Sequence, residues 1–408
     1  MNWKFPRRIW LFLAASFSFG LGQAFTMLFL NFYLRALGLD ASLQGLVNAM
    51  PAFISALMSI PAVLVTRRFG EVKTLKLGIG LGFVGIGMLA IANGAPLALA
   101  GSLVQGIGSA LMMVASSPFM AAETSEENRV PLFSLQMALS TGAGFLGNIL
   151  GGQVPSLYAR YASVSSDSLP AIRAAIIVAV IFQLGGMIPA FMISSSNRKA
   201  PVPYKRMEAF RIEDKKLVGK LILPNILVGL GAGATIPYLN LFIEAKFSIN
   251  YSQLGSLFGW TSLATAATVL IQPRLVRRMG QIRAVVAVQT ASLPFLFLLG
   301  FSPAFSLVVL SLFTRGALMN AAGPVFSAFA MSQLPDGDRP MFAALNSMSW
   351  NIGWAVAATL SGVFRSFFGP AGLLDAFRWL FVWTILMYAL SMLMTYLFLV
   401  PRRQKMIL

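Results

Sequence analysis

Long apolar segments recur along this chain of 408 residues, and each comes close to or exceeds the roughly 20 residues that an α-helix needs to cross a lipid bilayer. Apolar residues make up 57% of the sequence and charged residues only 11%, whereas soluble domains contain roughly 45–50% and about 25%. This pattern excludes a soluble globular protein. It predicts an all-α integral membrane protein with many spanning helices.

Charged and turn-rich breaks between the apolar segments define twelve candidate transmembrane helices, here called helices 1 to 12. The first segment follows a basic amino terminus, but its apolar run continues to Leu34, which is too long for a cleaved signal peptide. We therefore keep it as helix 1. The predicted helices cover about residues 9–34, 43–66, 74–93, 96–121, 131–155, 171–193, 217–243, 252–276, 284–301, 303–331, 341–364 and 376–400.

Basic residues are concentrated in the connections on one side of these helices. The chain has 31 Lys and Arg residues and a formal charge of +18, and in short connections such charges mark the cytoplasmic side of a membrane. We interpret them as a sign of topology rather than of a nucleic-acid partner. Both termini are therefore predicted to be cytoplasmic. The connections on the other side hold only Arg35, Arg160, Arg173, Lys246, Arg365 and Arg378.

The inventory of reactive side chains excludes most enzyme chemistry. The sequence contains no Cys and no His, so thiol nucleophiles, disulfides, haem ligation and imidazole acid–base catalysis have no side chains to act through. A membrane-embedded enzyme would need a reactive cluster, and no mid-span acid supplies one. No phosphate-binding G-x-x-x-x-G-K-[ST] loop is present either. We expect no enzyme activity, no cofactor and no metal.

The two halves of the sequence resemble each other, which is typical of duplicated transporters. One register of 209 to 210 residues holds over most of each half. We therefore predict six helices in residues 1–193, a cytoplasmic linker in 194–216 and six helices in 217–408, arranged as two pseudo-symmetric bundles of parallel orientation. The matched pairs include Gly22 with Gly231, Asn31 with Asn240, Gly45 with Gly255, Gln105 with Arg315, and Gly152 with Gly362.

Polar side chains are unevenly distributed among the predicted helices. Because buried amides need hydrogen-bond partners or water, helices rich in them are expected to face a cavity. Helices 3, 6, 9 and 12 carry only Gln183 and Gln289 as amides and are expected to face lipid. The polar residues of the other group, on helices 1, 4, 5, 7, 10 and 11, are Gln23, Asn31, Gln105, Gln136, Asn148, Asn225, Asn240, Arg315, Asn320, Asn346 and Asn351.

Six plus six helices around a basic linker resemble the major facilitator superfamily of secondary transporters. After helix 2 the stretch VLVTRRFGEVK resembles the G-x-x-x-D-R-x-G-R-R loop of that family, with Arg68 and Gly70 on its arginine and glycine. The stretch RRMGQIR after helix 8 repeats this form with Arg278 and Gly280. The resemblance implies the twelve-helix fold of that family and transport by alternating access.

Two further stretches resemble motifs of the same family. In helix 4, QGIGSA resembles the R-x-x-Q-G-x-G segment, with Ser102 in place of the arginine that is often linked to proton coupling. In helix 5, GNILGG resembles the G-P-x-x-G-G element of exporters, with Asn148 in place of the proline. This exporter-like element favours efflux as the direction of transport.

Arg315 is the sharpest candidate for a substrate contact. It lies near the middle of predicted helix 10, where an arginine costs about 2.5–3.5 kcal/mol, so we expect it to face the interior and to have a partner. No Asp or Glu lies near mid-span, which makes an anionic group of the substrate a candidate partner. The alternative is that Arg315 bonds backbone carbonyls or interior amides such as Gln105 or Asn320.

Other polar and aromatic positions are also candidates. Asn31 and Asn240 lie near the outer ends of helices 1 and 7, where capping or cross-linking of helix ends is the alternative role. Trp350 and Trp354 suit an amphipathic ligand, although Trp commonly lies at the membrane interface or in a core. For Gln105, simple helix packing is the alternative. The candidate substrate-binding set is Arg315, Gln105, Gln23, Asn31, Asn240, Gln136, Asn346, Asn351, Trp350 and Trp354.

Charged connections on the cytoplasmic side predict a gate. Basic residues follow helices 2 and 8 and acids follow helices 4 and 10, so ion pairs such as Arg68 with Glu123 would hold the inner side shut in the outward-facing state. Ordinary solvation is the alternative, because an exposed pair contributes only about 0–1 kcal/mol. We expect facilitated diffusion, exchange, or ion coupling through Glu123 or Glu244, the two acids near span ends. The gating candidates are Arg68, Gly70, Glu123, Arg278, Gly280, Asp338 and Pro237, the last of which predicts a bend in helix 7.

These observations predict a secondary transporter that moves a small organic solute, anionic or amphipathic, out across the cytoplasmic membrane by alternating access. A flippase for lipids or lipid-linked substrates and a non-transporting receptor on the same fold are the alternatives. A lateral opening between helices would favour the flippase, and binding without flux would favour the receptor. The expected partners are the solute and the lipid bilayer, without nucleic acid, and the chain is expected to be a monomer.

Overall fold

Helices make up nearly all of the structure. The computed structural model describes residues 5–194, 212–268, 272–335 and 338–400, and no strand occurs among them. The first six helices are α1 (Arg7–Ala36), α2 (Ala41–Phe69), α3 (Glu71–Ala90), α4 (Ala95–Ala122), α5 (Glu126–Ala162) and α6 (Leu169–Met192). The others are α7 (Lys215–Thr235), a 3₁₀ turn (Ile236–Tyr238), α8 (Leu239–Phe247), α9 (Tyr251–Thr268), α10 (Gln272–Met279), α11 (Gln281–Phe301), α12 (Phe305–Gln333), α13 (Arg339–Phe368) and α14 (Leu373–Leu399).

Every predicted transmembrane helix coincides with one or more of these helices. Within the described residues, ten helical stretches are long and apolar enough to cross a membrane, judged by length and composition. Helices α9, α10 and α13 are not among the ten. Residues 269–271, between α9 and α10, lie outside the described part. Most of the predicted linker, 195–211, also lies outside it. The all-α integral membrane fold is confirmed.

The bend predicted at Pro237 is present as a break. Helix α7 ends at Thr235, and Pro237 lies in the 3₁₀ turn before α8 begins. A proline has no N–H for the carbonyl one turn earlier and its ring clashes with that turn. The α-helix is therefore interrupted here. Because the Leu241 N–H donates to Asn240 Oδ1 at 2.9 Å, the Pro237 carbonyl can accept a bond from elsewhere.

The chain divides into two compact units. Unit 1 consists of Met1–Val202, Thr235–Leu263 and Ala358–Phe377, and unit 2 of Pro203–Ala234, Ala264–Ala357 and Arg378–Leu408. The units cut across the sequence halves, because α8, most of α9 and the end of α13 group with the first six helices. The boundaries 1–193, 194–216 and 217–408 rest on the internal repeat and stay a prediction.

Unit 1 has two opposite ends. We call one end the terminal face; there Phe12 of α1 packs on Phe119 of α4, with ring centroids 5.3 Å apart. At the other end, the distal face, the Tyr33 hydroxyl donates to the carbonyls of Ala90 and Ala92 at 3.2 and 3.0 Å. The distal face carries the connections 37–40, 91–94, 163–168, 248–250 and 369–372.

Helices 6 and 12, which are expected to face lipid, each bury one face that carries polar residues. Gln183 of α6 is fully buried. Helix α14 exposes large apolar residues such as Leu386 and Leu393 on one side, but its other side carries a buried polar stripe. That stripe recurs every three or four residues, the period of a helix face, and consists of Thr384, Tyr388, Ser391 and Thr395.

Candidate functional site

Arg315 lies inside α12 in unit 2 and is 8% exposed. Its Nη2 donates a hydrogen bond of 2.7 Å to the Tyr388 hydroxyl, and its guanidinium carbon lies 5.6 Å from the centre of that ring. Its Nε has no partner among the described residues. Because a guanidinium carries five N–H donors, this arrangement leaves donors for a further acceptor.

The partner of Arg315 differs from the two amides that the sequence offered. Asn320 donates instead to the Gly316 carbonyl of its own helix at 2.8 Å. In the part of the chain that the structure describes, no carboxylate forms an ion pair with Arg315. Sequence reasoning missed Tyr388, although the polar stripe of α14 is visible in the sequence as a repeat of three and four residues.

The internal repeat places polar side chains at related positions in both units. In unit 2 the Tyr388 ring fills space beside Gly231, where an added Cβ would lie 2.8 Å from the ring. In unit 1 Gln183 lies in the same way beside Gly22, the repeat equivalent of Gly231. Neither Gln183 nor the Gln105 Nε2 has a hydrogen-bond partner among the described residues. Of these related positions, only the one in unit 2 carries a charged side chain, Arg315.

The helix 11 candidates pack against α7 in unit 2. Asn225 Nδ2 donates to Asn346 Oδ1 at 3.0 Å, and Asn351 Nδ2 donates to the Ser347 carbonyl at 2.9 Å. The rings of Trp350 and Trp354 lie 5.9 Å apart and are partly exposed. In unit 1 the two remaining amide candidates are also partly exposed: Gln23 and Gln136.

At the distal face of unit 1, Asn31 and Asn240 form a reciprocal set of bonds. Asn31 Nδ2 donates to Asn240 Oδ1 at 2.8 Å and to the Pro237 carbonyl at 2.6 Å. Asn240 Nδ2 donates to the Leu28 carbonyl at 2.8 Å, and Asn48 Nδ2 donates to Asn31 Oδ1 at 2.8 Å. We call Asn31, Asn240 and their bonds the amide clasp. Since both side chains are satisfied and buried, they tie α1 to α8 here rather than offer groups to a solute.

An ion pair lies one helical turn beyond the clasp. Arg35 Nη1 and Glu244 Oε2 are 3.3 Å apart, and both side chains are partly exposed. The register that matches Asn31 with Asn240 also matches Arg35 with Glu244, so the repeat has placed a cation and an anion at equivalent positions. Glu244, a candidate for ion coupling, is therefore held by an arginine in this arrangement.

Two crossings between glycines lie beside the clasp in unit 1. A Cβ on Gly362 of α13 would lie 2.7 Å from the Gly45 Cα of α2, and one on Gly152 of α5 would lie 3.1 Å from the Gly255 Cα of α9. The repeat matches Gly45 with Gly255 and Gly152 with Gly362, so the second crossing is the symmetry mate of the first. Each crossing joins a helix of the first sequence half to one of the second at backbone contact.

At the terminal face, Glu123 pairs with a different arginine from the predicted one. Arg8 Nη1 lies 3.1 Å from Glu123 Oε1, and Arg8 Nε donates to Ser194 Oγ at 3.2 Å. Arg68 is exposed and lies over the ring of Phe69. The predicted pairing of Arg68 with Glu123 belongs to an outward-facing state and stays a prediction.

The glycines of the two basic loops have a backbone role. Gly70 precedes α3 with φ of +84° and Gly280 precedes α11 with φ of +80°. Residues with a Cβ rarely adopt this left-handed region. The glycine of the repeated motif is thus required by the turn itself. Arg278 beside the second turn is exposed.

Asp338 caps a helix start in unit 2. It is 1% exposed, and its carboxylate accepts bonds from the backbone nitrogens of Glu213 at 3.1 Å and Asp214 at 3.4 Å. We expect Asp338→Ala to lower the free energy of unfolding by about 1–2 kcal/mol, because capping donors lose their acceptor. Thermal unfolding in detergent measures the change, with the exposed Glu127→Ala as a control. Equal midpoints for the two variants would contradict the capping role.

A family profile described as Major Facilitator Superfamily matches residues 12–222 and again residues 221–407. The Methylenomycin A resistance protein of Bacillus subtilis (strain 168) is 31% identical over 144 residues, which are 35% of this chain and 31% of that protein. The match therefore spans less than a third of that relative's length.

Solved structures resemble the fold over nearly the whole chain. A bacterial homologue of the human lysosomal transporter Spinster, in an inward-facing and occupied conformation, matches with a TM-score of 0.78 and 13% identity over 95% of both chains. The nucleoside transporter NupG matches with a TM-score of 0.71 and 15% identity over 97% of this chain and 99% of the other. At these identities the likeness shows the fold alone.

Proposed function

Since the chain belongs to the major facilitator superfamily and is a transmembrane transport protein, we propose that it exports a small organic solute with an anionic group. Arg315 binds that group in this proposal. The observation that carries it is a buried arginine in a membrane helix whose described partner is a neutral hydroxyl rather than a carboxylate.

Free energy favours an anion as the missing partner. Placing an arginine in mid-membrane costs about 2.5–3.5 kcal/mol, and a single hydrogen bond to a neutral hydroxyl returns only part of that cost. A carboxylate or phosphate would accept parallel bonds from the donors of Arg315 that Tyr388 leaves over. An apolar body on the same solute would find aromatic surface at Trp350 and Trp354.

We propose that transport proceeds by alternating access. The amide clasp, the Arg35–Glu244 pair and the two glycine crossings close the distal side, and they have to separate for the distal side to open. The second closed state would use the predicted ion pairs at the terminal face. Protonation of Glu244 or Glu123 would release Arg35 or Arg8, which makes these two carboxylates the candidates for coupling to protons.

Orientation and direction follow from the charges and from two similarities. The concentration of Lys and Arg in the connections of the terminal face supports a cytoplasmic location of that face and of both termini. We place the protein in the cytoplasmic membrane, acting as a monomer. The exporter-like stretch 147–152 and the partial similarity to a resistance protein support efflux.

The test is a thermal-shift screen of small carboxylates, phosphates, amines and neutral solutes against the wild type and Arg315→Gln. We expect anions to stabilise the wild type and their apparent affinity to fall about 10- to 100-fold in Arg315→Gln. This range corresponds to the roughly 1.5–3 kcal/mol of a charge-assisted hydrogen bond. Responses to neutral solutes are expected to stay unchanged.

Two further variants separate binding from packing. Arg315→Lys keeps the charge but loses the fork of donors, so anion responses are expected to weaken without loss of folding. Tyr388→Phe removes only the neutral partner and should retain anion binding. Anion responses of wild-type size in Arg315→Gln, or transport of wild-type rate in Arg315→Lys, would remove Arg315 from the proposal.

A further inference from the structure

A cavity of about 900 Å³ lies at the distal face of unit 1. It is bounded by the connections before α2, before α6, before α9 and before α14, and all its lining residues belong to that unit. Its charged and hydroxyl lining residues used below are Arg35, Asp40, Asp167, Glu244, Tyr251 and Arg365. The proposed transport function does not use Asp40, Asp167, Tyr251 or Arg365.

Arg365 is the deepest of these groups and corrects a sequence prediction. The sequence placed it in an outer connection, but α13 continues to Phe368 and Arg365 is only 2% exposed. Its guanidinium carbon lies 3.8 Å from the centre of the Tyr238 ring. Its Nε and Nη2 have no hydrogen-bond partner among the described residues. The Tyr238 hydroxyl donates to the Ala358 carbonyl at 2.8 Å, and its ring lies against the guanidinium.

Tyr251 lies in the same cavity, with its buried hydroxyl beside the Asp167 carboxylate. Its ring packs edge-on against Phe29 and Phe32 with centroids 5.4 and 5.0 Å away, which holds the side chain in place. Burying the Arg365 guanidinium with two of its nitrogen atoms unpaired costs several kcal/mol. An acceptor that enters the cavity would remove this cost.

The remaining charges of the cavity are separated by depth. Arg35 and Glu244 neutralise each other as an ion pair. Asp167 and Asp40 are exposed at the rim, where one oxygen of Asp40 accepts the Leu43 N–H and caps α2. The cavity thus offers a cation in its depth and two carboxylates at its mouth.

We propose that this cavity binds a small zwitterion whose carboxylate lies on Arg365 and whose ammonium lies between Asp40 and Asp167. A simple anion would meet Arg365 but also the repulsion of the rim, and a simple cation would gain only the rim. The site does not involve Arg315 and goes beyond the proposed transport function.

The experiment measures binding to the full-length protein by isothermal titration calorimetry in an Arg315→Gln background, so that failure of the proposed transport site does not affect the result. The probes are γ-aminobutyrate, butyrate and butylamine. We expect γ-aminobutyrate to bind at least about tenfold more tightly than butyrate, as expected for one added charged contact. Butylamine is expected to give no saturable heat.

Variants assign the two ends of the probe. Arg365→Gln is expected to weaken γ-aminobutyrate at least about tenfold. Asp167→Asn is expected to weaken γ-aminobutyrate but not butyrate. Arg160→Gln is the matched control, because Arg160 is exposed in the last turn of α5 at the same face and should leave both affinities unchanged.

Three results would overturn the proposal. These are butyrate binding as tightly as γ-aminobutyrate, Arg365→Gln binding like its parent, and Asp167→Asn weakening both probes equally. If Arg365→Gln fails to fold, Arg365→Lys replaces it, since this change keeps the charge and loses the fork of donors. We expect Arg365→Lys to weaken both carboxylate probes several-fold, and unchanged affinities in a folded Arg365→Lys would also reject the site.

Discussion

Oxidation of a variant that carries Asn31→Cys and Asn240→Cys is expected to reduce flux in proteoliposomes to the level of empty vesicles, and a reductant is expected to restore it. The sequence contains no native cysteine, so the two introduced thiols are the only ones in the protein. The amide groups that they replace are 2.8 Å apart. A disulfide or a short bifunctional thiol reagent would therefore hold α1 and α8 together at the clasp.

The expected arrest follows from alternating access. If the distal side has to open once per cycle, a covalent bond between α1 and α8 stops the cycle completely instead of slowing it. The reversal by reductant separates this arrest from misfolding. Quantification of the remaining free thiols with a maleimide reports how much of the sample is cross-linked.

A matched cross-link tests whether the arrest belongs to this pair of helices. Asn48 Nδ2 lies 2.8 Å from Asn31 Oδ1, the same distance as in the clasp, but α1 and α2 both belong to the first sequence half. Oxidised Asn31→Cys with Asn48→Cys should therefore keep most of its flux. Equal flux in the oxidised and reduced Asn31→Cys with Asn240→Cys variant, at full cross-linking, would show that α1 and α8 do not separate during transport.

The elements of the fold could be predicted because they depend on properties that lie along the chain. Apolar length shows where helices lie, and the missing N–H of Pro237 shows where α7 ends. The repeat register is also a property of the sequence, and it matches Asn31 with Asn240, which are hydrogen-bonded in the structure. Two matching positions of a pseudo-symmetric fold can contact each other only near the symmetry axis, as Asn31 and Asn240 do.

The partners of charged residues could not be predicted in the same way. Periodicity indicates the face of a helix but not which neighbour it meets. The sequence offers Arg68 to Glu123 for an outward-facing state, and it gives no sign of the Arg8–Glu123 pair that the structure shows. A count of amide side chains also leaves out hydroxyl groups, so it does not indicate the buried hydroxyls of α14, which include that of Tyr388. Arg365 was missed because the apolar run ends before the helix does, and α13 carries the arginine into the protein.

The other large effect is expected from Gly362→Val, which should lower flux and open the distal side. A Cβ at Gly362 would lie 2.5 Å from the Ala41 carbonyl oxygen and 2.7 Å from the Gly45 Cα, and both of these are backbone atoms of α2. Backbone cannot turn away as a side chain would, so α2 and α13 have to move apart. Overpacking of this kind costs about 1–3 kcal/mol, which corresponds to a roughly 5- to 150-fold loss of the closed arrangement.

Thiol labelling measures that loss directly. Gln23→Cys lies about two turns below Asn31 on α1, so a membrane-impermeant maleimide reaches it from the distal side only when the clasp is open. We expect Gly362→Val to raise its labelling rate and Gly152→Val, at the symmetric crossing, to raise it similarly. Gly80→Val is the control, because a Cβ at Gly80 would meet nothing within 4 Å.

The two crossings together test the symmetry of the gate. Suppose that both crossings seal the distal side and that one valine already opens it fully. The double variant Gly152→Val with Gly362→Val should then label Gln23→Cys no faster than that single variant, because an open gate cannot open further. If each valine opens the gate only in part and the two increases in labelling rate add, the two crossings stabilise the closed state independently. Labelling of the Gly362→Val protein at the Gly80→Val rate would contradict the seal, because a Cβ that would lie only 2.7 Å from the Gly45 Cα leaves no room for a valine in the closed arrangement.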